Sequence, residues 1–210
     1  MKVLLVNGSP HKKGCTYTAL KEVAETLNKE EVDTEIFQVG KKPLAGCTAC
    51  RKCAETGYCV FDDKVNEFIK IAGDFDGFIF GAPVHYAAVN GAMTSFMDRA
   101  FYAPLKAGKD IFYLKPAAAV TSARRAGTTA AFDQLNKYFT LNQMPVVSSR
   151  YWNMVHGTNP EEVKEDKEGL QTMRILGRNM AFLLKCKEAG LKAGVDLPEQ
   201  EEITFTNFIR

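Results

Sequence analysis

KVLLVNGSPHKKGCTYTALKEVAETLN, residues 2–28, contains a strand, a polar loop and a helix in succession. Lys2 to Val6 is a short apolar, β-prone run closed by Asn7-Gly8. From Thr16 to Asn28 the apolar residues Leu20, Val23, Ala24 and Leu27 recur at helical spacing. Outward from there the alternation continues. Thr34 to Val39 reads as a second strand, and Asp62-Asp63 can cap a helix whose apolar face is Val65, Phe68, Ile69 and Ala72. Asp76 to Phe80 is a central strand, followed by a helix from Gly91 to Tyr102 with Phe96, Met97 and Phe101 inward. Pro116 to Thr121 is a fourth strand, about Thr128 to Leu141 a helix, and MPVVSS (144–149) a fifth strand. The charged run from Pro160 to Gly190 reads as one long last helix.

Five alternations of strand and helix predict a doubly wound α/β fold with a parallel sheet. Such sheets bind ligands outside the carboxyl ends of their strands. The loops expected to carry chemistry are therefore 7–15, 39–62, 81–90 and 121–127. Residues 1–190 are read as one domain with a cysteine-rich loop at 46–59, and 191–210 as a C-terminal tail.

The chain has 210 residues, 46% of them hydrophobic and 25% charged, enough for a core without staples or metal. A net charge of only +2 gives no electrostatic reason to expect nucleic acid or an anionic membrane as partner. No apolar run approaches the roughly 20 residues that cross a bilayer. The apolar run Val3 to Val6 is too short for a signal peptide, so a reducing cytoplasm is the expected setting.

In NGSPHKKGCT the side chains of Ser9, Thr16 and Thr18 offer hydroxyls, and His11, Lys12 and Lys13 offer donors. Gly8 and Gly14 permit tight backbone, and a helix start favours an anion. This suits a phosphate monoester; the plain alternative is a polar turn with a threonine cap. The loop is neither GxGxxG nor a nucleoside-triphosphate loop.

That opening, followed by GAPVHYAAVNGAMTSFMDRAFY from Gly81, resembles the NADPH-dependent FMN reductase branch of the flavodoxin-like proteins over residues 1 to about 150. The resemblance implies a flavodoxin-like three-layer α/β sandwich with a parallel five-stranded sheet in the order 2-1-3-4-5. FMN would sit where the first and third strands diverge. It implies a phosphate site from Ser9, His11, Cys15, Thr16, Tyr17 and Thr18, with Cys15 where the family often has Asn and His11 where it often has Arg. It places Pro83, Val84, His85 and Tyr86 beside the isoalloxazine, with a backbone N–H near its O4–N5 edge. In this fold the loop TSARRAGTT reaches the ring's pyrimidine end. There Ser122, Ala123 and Gly127 can give backbone donors and Arg124 or Arg125 a cation; the alternative is two solvated arginines. His85 is open between general base, ring contact and solvent. Asp98-Arg99 reads as a structural ion pair or helix-surface feature, and YWNMVHG (151–157) as a wall on the substrate side or a packed turn.

Four of the six cysteines, Cys47, Cys50, Cys53 and Cys59, fall in C-x2-C-x2-C-x5-C. Zinc ribbons bring two C-x2-C knuckles together from separate hairpins, and this loop has one compact run. Ferredoxin runs end in x3-C-P, and Cys59 is followed by Val60. The run resembles the compact motif of iron–sulfur flavoproteins, which implies a [4Fe–4S] cluster on these four. Free structural thiols, zinc and a redox disulfide stay open beside it. The loop leaves the second strand's carboxyl end, so it is expected on the same edge as the flavin. Cys15 and Cys186 read as packing residues.

The leading expectation is an FMN-dependent oxidoreductase that takes hydride from NAD(P)H and reduces a quinone, a nitro or azo compound, or free flavin. The alternatives are an FMN and [4Fe–4S] electron carrier served by a ferredoxin-like donor, and a zinc-binding protein without flavin. A homodimer or homotetramer is expected, because a flavin at a sheet edge commonly needs a second wall.

Overall fold

The computed structural model describes residues 1–208. Its sheet consists of β1 (Lys2–Asn7), β2 (Asp33–Gln38), β3 (Gly77–His85), β5 (Ala117–Ala123) and β6 (Met154–His156). All are parallel, in the order β2-β1-β3-β5-β6. The two-residue strand β4 (Ala88–Val89) folds back antiparallel on the end of β3. With that hairpin set aside, the order is the expected flavodoxin-like 2-1-3-4-5. The helices are α1 (Cys15–Lys29), α2 (Cys53–Thr56), α3 (Lys64–Ala72), α4 (Gly91–Lys106), α5 (Thr128–Leu141), α6 (Pro160–Glu165) and α7 (Lys167–Lys192).

Successive strand residues point to opposite faces, and this divides the core in two. Val3, Leu5, Ile79, Ala118 and Val120 pack under α1 and α7, with Leu20, Val23, Leu27, Met173, Leu176 and Met180. Leu4, Val6, Phe78, Phe80, Ala117 and Ala119 face the other layer, α3, α4 and α5. That layer is aromatic: Phe68 meets Phe96 at 5.2 Å and Phe80 meets Phe139 at 5.4 Å between ring centroids. The alanines of β5 leave room for these rings.

Three elements depart from the sequence expectation. MPVVSS is no regular strand. Val146 forms a single bridge to Ala117, and the chain then detours before β6 pairs with Thr121–Ala123. Asn153 fills the gap: its carbonyl accepts from Thr121 N–H (2.9 Å), and its side-chain amide donates to Ala119 C=O (3.0 Å). The last helix is two helices, because Asp166 leaves helical geometry and caps α7 through Gly169 N–H (2.9 Å). Helix α4 runs four residues beyond Tyr102 and takes Pro104 into its last turn. Beyond Lys192 the chain carries no helix or strand as far as residue 208; Ile209 and Arg210, part of the expected tail, lie outside the described residues. Among the described residues, no helix is long and apolar enough to cross a membrane.

Candidate FMN site and the four-cysteine loop

At the carboxyl ends of β1, β3 and β5 the chain encloses a cleft of about 320 Å³. It is lined by Ser9, His11, Cys15, Thr16, Pro83, Val84, His85, Ser122, Ala123 and Arg124, together with Gly157 and Thr158. Three of the four loops singled out in the sequence thus converge on one volume.

The first loop is held in shape from within. Asn7 Oδ1 accepts from Ser9 N–H (3.1 Å), and Asn7 Nδ2 donates to Gln38 Oε1 (2.7 Å). Gln38 in turn donates to Ser9 C=O (2.6 Å), while Ser9 Oγ accepts from His11 N–H (3.2 Å). Gly8 is required by close approach: a Cβ there would lie 2.5 Å from Met93 Sδ and 3.0 Å from the Gly81 carbonyl oxygen. Helix α1 begins at Gly14 with no side-chain cap and no acidic residue in its first turn. Its first amides therefore keep their donor capacity and its positive end faces the cleft.

Thr16 and Ser122, both buried, share a hydroxyl hydrogen bond of 2.8 Å that ties α1 to the end of β5. Cys15 Sγ lies 3.5 Å from Gly157 C=O; burial pushes its thiol above the ordinary range, partly offset by a backbone hydrogen bond. His85 lines the cleft and makes no side-chain hydrogen bond to another described residue. The remaining expected flavin contacts stand elsewhere. Tyr86, with φ of 59°, is fully exposed at the tip of the β3–β4 hairpin. Thr18 donates its hydroxyl back to Gly14 C=O (3.1 Å), and Tyr17 is not among the lining residues. Gly127, with φ of 93°, caps α5 and abuts Val84, where a Cβ would approach to 3.0 Å. Arg125 does not line the cleft. Gly157, the last residue of the stretch read as a wall or packed turn, does line it, as does Thr158, which the sequence reading did not single out. Tyr151 and Trp152, rings 4.8 Å apart, are exposed on the detour before β6 and not in the cleft.

A binding test comes from the chemistry of this lining. Hydroxyls and helix-start amides occupy one end, and the apolar Pro83-Val84 pair with Ser122 and Ala123 the other. That set fits a flavin mononucleotide.

The four cysteines line a second, smaller pocket with Arg99, Tyr102 and Phe61. Cys53 is buried at the start of α2, Cys59 half-buried, and Cys47 and Cys50 are exposed. Burial, and then the neighbouring thiols, push the Cys53 thiol upward. Ala49 and Arg51, at φ of 55° and 61°, flank Cys50 in left-handed backbone that non-glycine residues seldom adopt. Both backbone groups of Cys59 are held by Asn66, each at 2.8 Å.

Arg99 corrects a sequence expectation. It does not pair with its neighbour Asp98, because adjacent helix residues diverge. It reaches Asp63, the α3 cap, through two hydrogen bonds of 2.8 and 3.0 Å. Its other donors go to Ala45 C=O (3.1 Å), Phe61 C=O (3.1 Å) and Cys59 Sγ (3.1 Å). Arg99 is 1% exposed; burial disfavours its charge, yet Asp63 and then Cys59 hold it firmly protonated. Asp98 instead accepts from the Tyr138 hydroxyl, and burial together with that bond drives Tyr138 far above a normal phenol.

Among the described residues, no three Cys, His, Asp or Glu side chains stand close enough to hold one metal ion. A cuboidal iron–sulfur cluster asks for something different, with one thiolate on each of four irons spread around a pocket. The four thiols line one pocket, which is the donor set that such a cluster would need. The loop leaves the carboxyl end of β2, where Gln38 bonds Ser9 of the cleft, but its thiols lie away from that cleft. No residue lines both volumes, and the thiol pocket lies against Arg99 and Tyr102, two to three turns down α4.

Fold and cleft together define a flavodoxin-like, mononucleotide-binding α/β protein. Residues 1–159 match the family described as NADPH-dependent FMN reductase, and the chain belongs to that family. It is an FMN-dependent oxidoreductase by class. It is similar to an iron–sulfur flavoprotein of Methanocaldococcus jannaschii, 32% identical over 194 residues, covering 88% of this chain and 98% of that one. It is also similar to an iron–sulfur flavoprotein of Archaeoglobus fulgidus, 28% identical, covering 87% and 97%. Among solved structures, RosB with a bound formylriboflavin phosphate intermediate aligns at TM-score 0.68 and 13% identity, covering 100% of this chain and 94% of that one. An archaeal flavodoxin aligns at TM-score 0.57 and 17% identity, covering 88% and 99%. At such identities these structures speak for the fold alone.

Proposed function

We propose that the protein is a cytoplasmic, FMN-dependent NAD(P)H oxidoreductase that passes electrons to a quinone, a nitro or azo compound, or free flavin. The observation that carries this reading is the convergence of the 7–15, 81–90 and 121–127 loops on one cleft, with Thr16 bonded to Ser122 across it. When bound, FMN supplies two-electron acceptance from a nicotinamide and one- or two-electron donation onward. The chain's own part is to bind and orient. Ser9, His11, Thr16 and the first amides of α1 supply donors for the phosphate. Pro83 and Val84 give the ring an apolar wall, which excludes water from one face. Backbone donors at Ser122 and Ala123, with Arg124 at the rim, favour negative charge at the pyrimidine end. His85 serves as a ring contact in this reading; no proton transfer is assigned to it.

Removal of FMN should abolish NAD(P)H oxidation, and re-addition should restore it. NAD(P)H turnover by flavin-free protein would sink this reading.

A second reading is an electron carrier with FMN and a [4Fe–4S] cluster on Cys47, Cys50, Cys53 and Cys59, fed by a ferredoxin-like donor. Two observations favour it: the four thiols line one pocket, and the similar curated proteins carry the name iron–sulfur flavoprotein. Since cleft and thiol pocket stand apart on one chain, a homodimer or homotetramer is part of this reading. An anaerobic spectrum with flavin bands plus a broad brown absorption that bleaches on reduction supports it. Flavin bands alone, after anaerobic iron and sulfide reconstitution, remove it.

A further inference from the structure

Arg99 is unusual in that every one of its donors has a partner and one of those partners is sulfur. Its two terminal nitrogens are used on Asp63, Ala45 and Phe61, which fixes the guanidinium plane and leaves Nε–H aimed at Cys59 Sγ, 3.1 Å away. The carbonyls of Ala45 and Phe61 bracket the cysteine loop on its two sides, so one side chain on α4 clamps both ends of it. Of the four cysteines, Cys59 alone accepts a side-chain hydrogen bond from another described residue. Cys47 and Cys50 are exposed, and Cys53, though buried, accepts no side-chain hydrogen bond from another described residue.

We infer that Arg99 is a positioning residue for the four-cysteine site: through its Nε–H it makes Cys59 the one charge-assisted corner, and so raises the reduction potential of a cluster held there. The inference rests on the cluster reading above. Its physical basis is that a hydrogen bond to a ligating sulfur stabilises the more negative, reduced state, and more so in a water-poor pocket. Asp63 neutralises much of the guanidinium's charge, so the effect runs mainly through the directed N–H and not through a general positive field. Arg51, exposed at the mouth of the same pocket, is the natural control.

The experiment uses the full chain, purified and reconstituted anaerobically with iron and sulfide, in wild-type, R99K and R51K forms. Lysine keeps a cation opposite Asp63 but has neither the fork nor the Nε–H. Iron and acid-labile sulfide are counted first, then the midpoint potential is measured by dye-mediated titration. The expected result is a potential more negative in R99K than in wild type, with R51K unchanged. Equal potentials in R99K and wild type, each holding its cluster, overturn the inference while leaving the cluster reading intact. Wild-type protein that takes up no iron and sulfide overturns both, and that result is visible before any variant is compared.

A second measurement covers the case in which R99K does not fold. Unmodified chain carrying guanidino-15N arginine is reduced with dithionite and studied by pulsed electron paramagnetic resonance. A 15N coupling that persists in R51K is expected. Its absence from a wild-type sample that shows a reduced cluster overturns the inference.

Discussion

The hydroxyls of Thr16 and Ser122 lie 2.8 Å apart, buried between the first turn of α1 and the carboxyl end of β5. They join the α1 side of the cleft to its β5 side, although 106 residues separate them in sequence. Thr16→Val keeps the shape and removes the hydroxyl, leaving Ser122 without its partner. FMN affinity, read by quenching of flavin fluorescence, should fall about tenfold, equivalent to ~1.4 kcal/mol. An unchanged dissociation constant would show that this bond does not organise the cleft.

Gly8 meets backbone on one side, since a Cβ would lie 3.0 Å from the Gly81 oxygen. Its own N–H donates to that same oxygen at 2.8 Å. Gly8→Ala forces β1 and β3 apart where they diverge. Urea unfolding should show a loss of about 1–3 kcal/mol, the usual range for overpacking.

Asn153 substitutes for missing strand at the edge of the sheet. Asn153→Ala leaves the Ala119 carbonyl buried and unmet, and removes the Oδ1 that lies 2.7 Å from Ser149 Oγ. The expected loss of stability is about 2 kcal/mol. Because β6 leads into Gly157 and Thr158, which line the cleft, FMN binding should weaken as well. A variant as stable as wild type in a denaturant titration would contradict this account.

Cys15 gives a pH dependence. Burial holds its thiol above the ordinary value of about 8.5, so the folded protein keeps this proton to higher pH than the unfolded chain does. Its contribution to stability is therefore complete below the unfolded value and is lost as pH climbs through the folded one. Alkylation by iodoacetamide, followed site by site by mass spectrometry, should be slow at Cys15 near neutrality and rise only above the ordinary thiol range. Bound FMN should slow it further without slowing the exposed Cys186. Equal rates at both sites at pH 7 would contradict the burial of Cys15.

What could be read from sequence follows from how local each signal is. The α5 helix, Thr128–Leu141, begins and ends where its apolar spacing says, and Asp63 caps α3 as the Asp62-Asp63 pair suggests. Alternation predicts a parallel doubly wound sheet, while the strand order comes from the family resemblance and matches the structure. The split edge strand could not be read, because MPVVSS has β character and its replacement depends on Asn153 meeting β5. The partner of Arg99 was hidden for a similar reason: Asp98 is adjacent in sequence, but helix geometry sends the two side chains apart. Thr158 escaped, and Gly157 was caught only as the end of YWNMVHG, because β6 has just three residues, too few for a periodic signal. A glycine closing MVH was the one available hint that another strand end faces the cleft.

Trp152, the sole tryptophan, sits half exposed on the detour between Val146 and β6, outside both aromatic core and cleft. Its native emission should already be that of an indole in water, and denaturant should shift its wavelength little. Fluorescence at that residue would thus report the local state of one sheet edge, while loss of the phenylalanine-rich layer under α3, α4 and α5 passed unseen. Circular dichroism or flavin release is therefore the optical signal suited to following global unfolding in this protein.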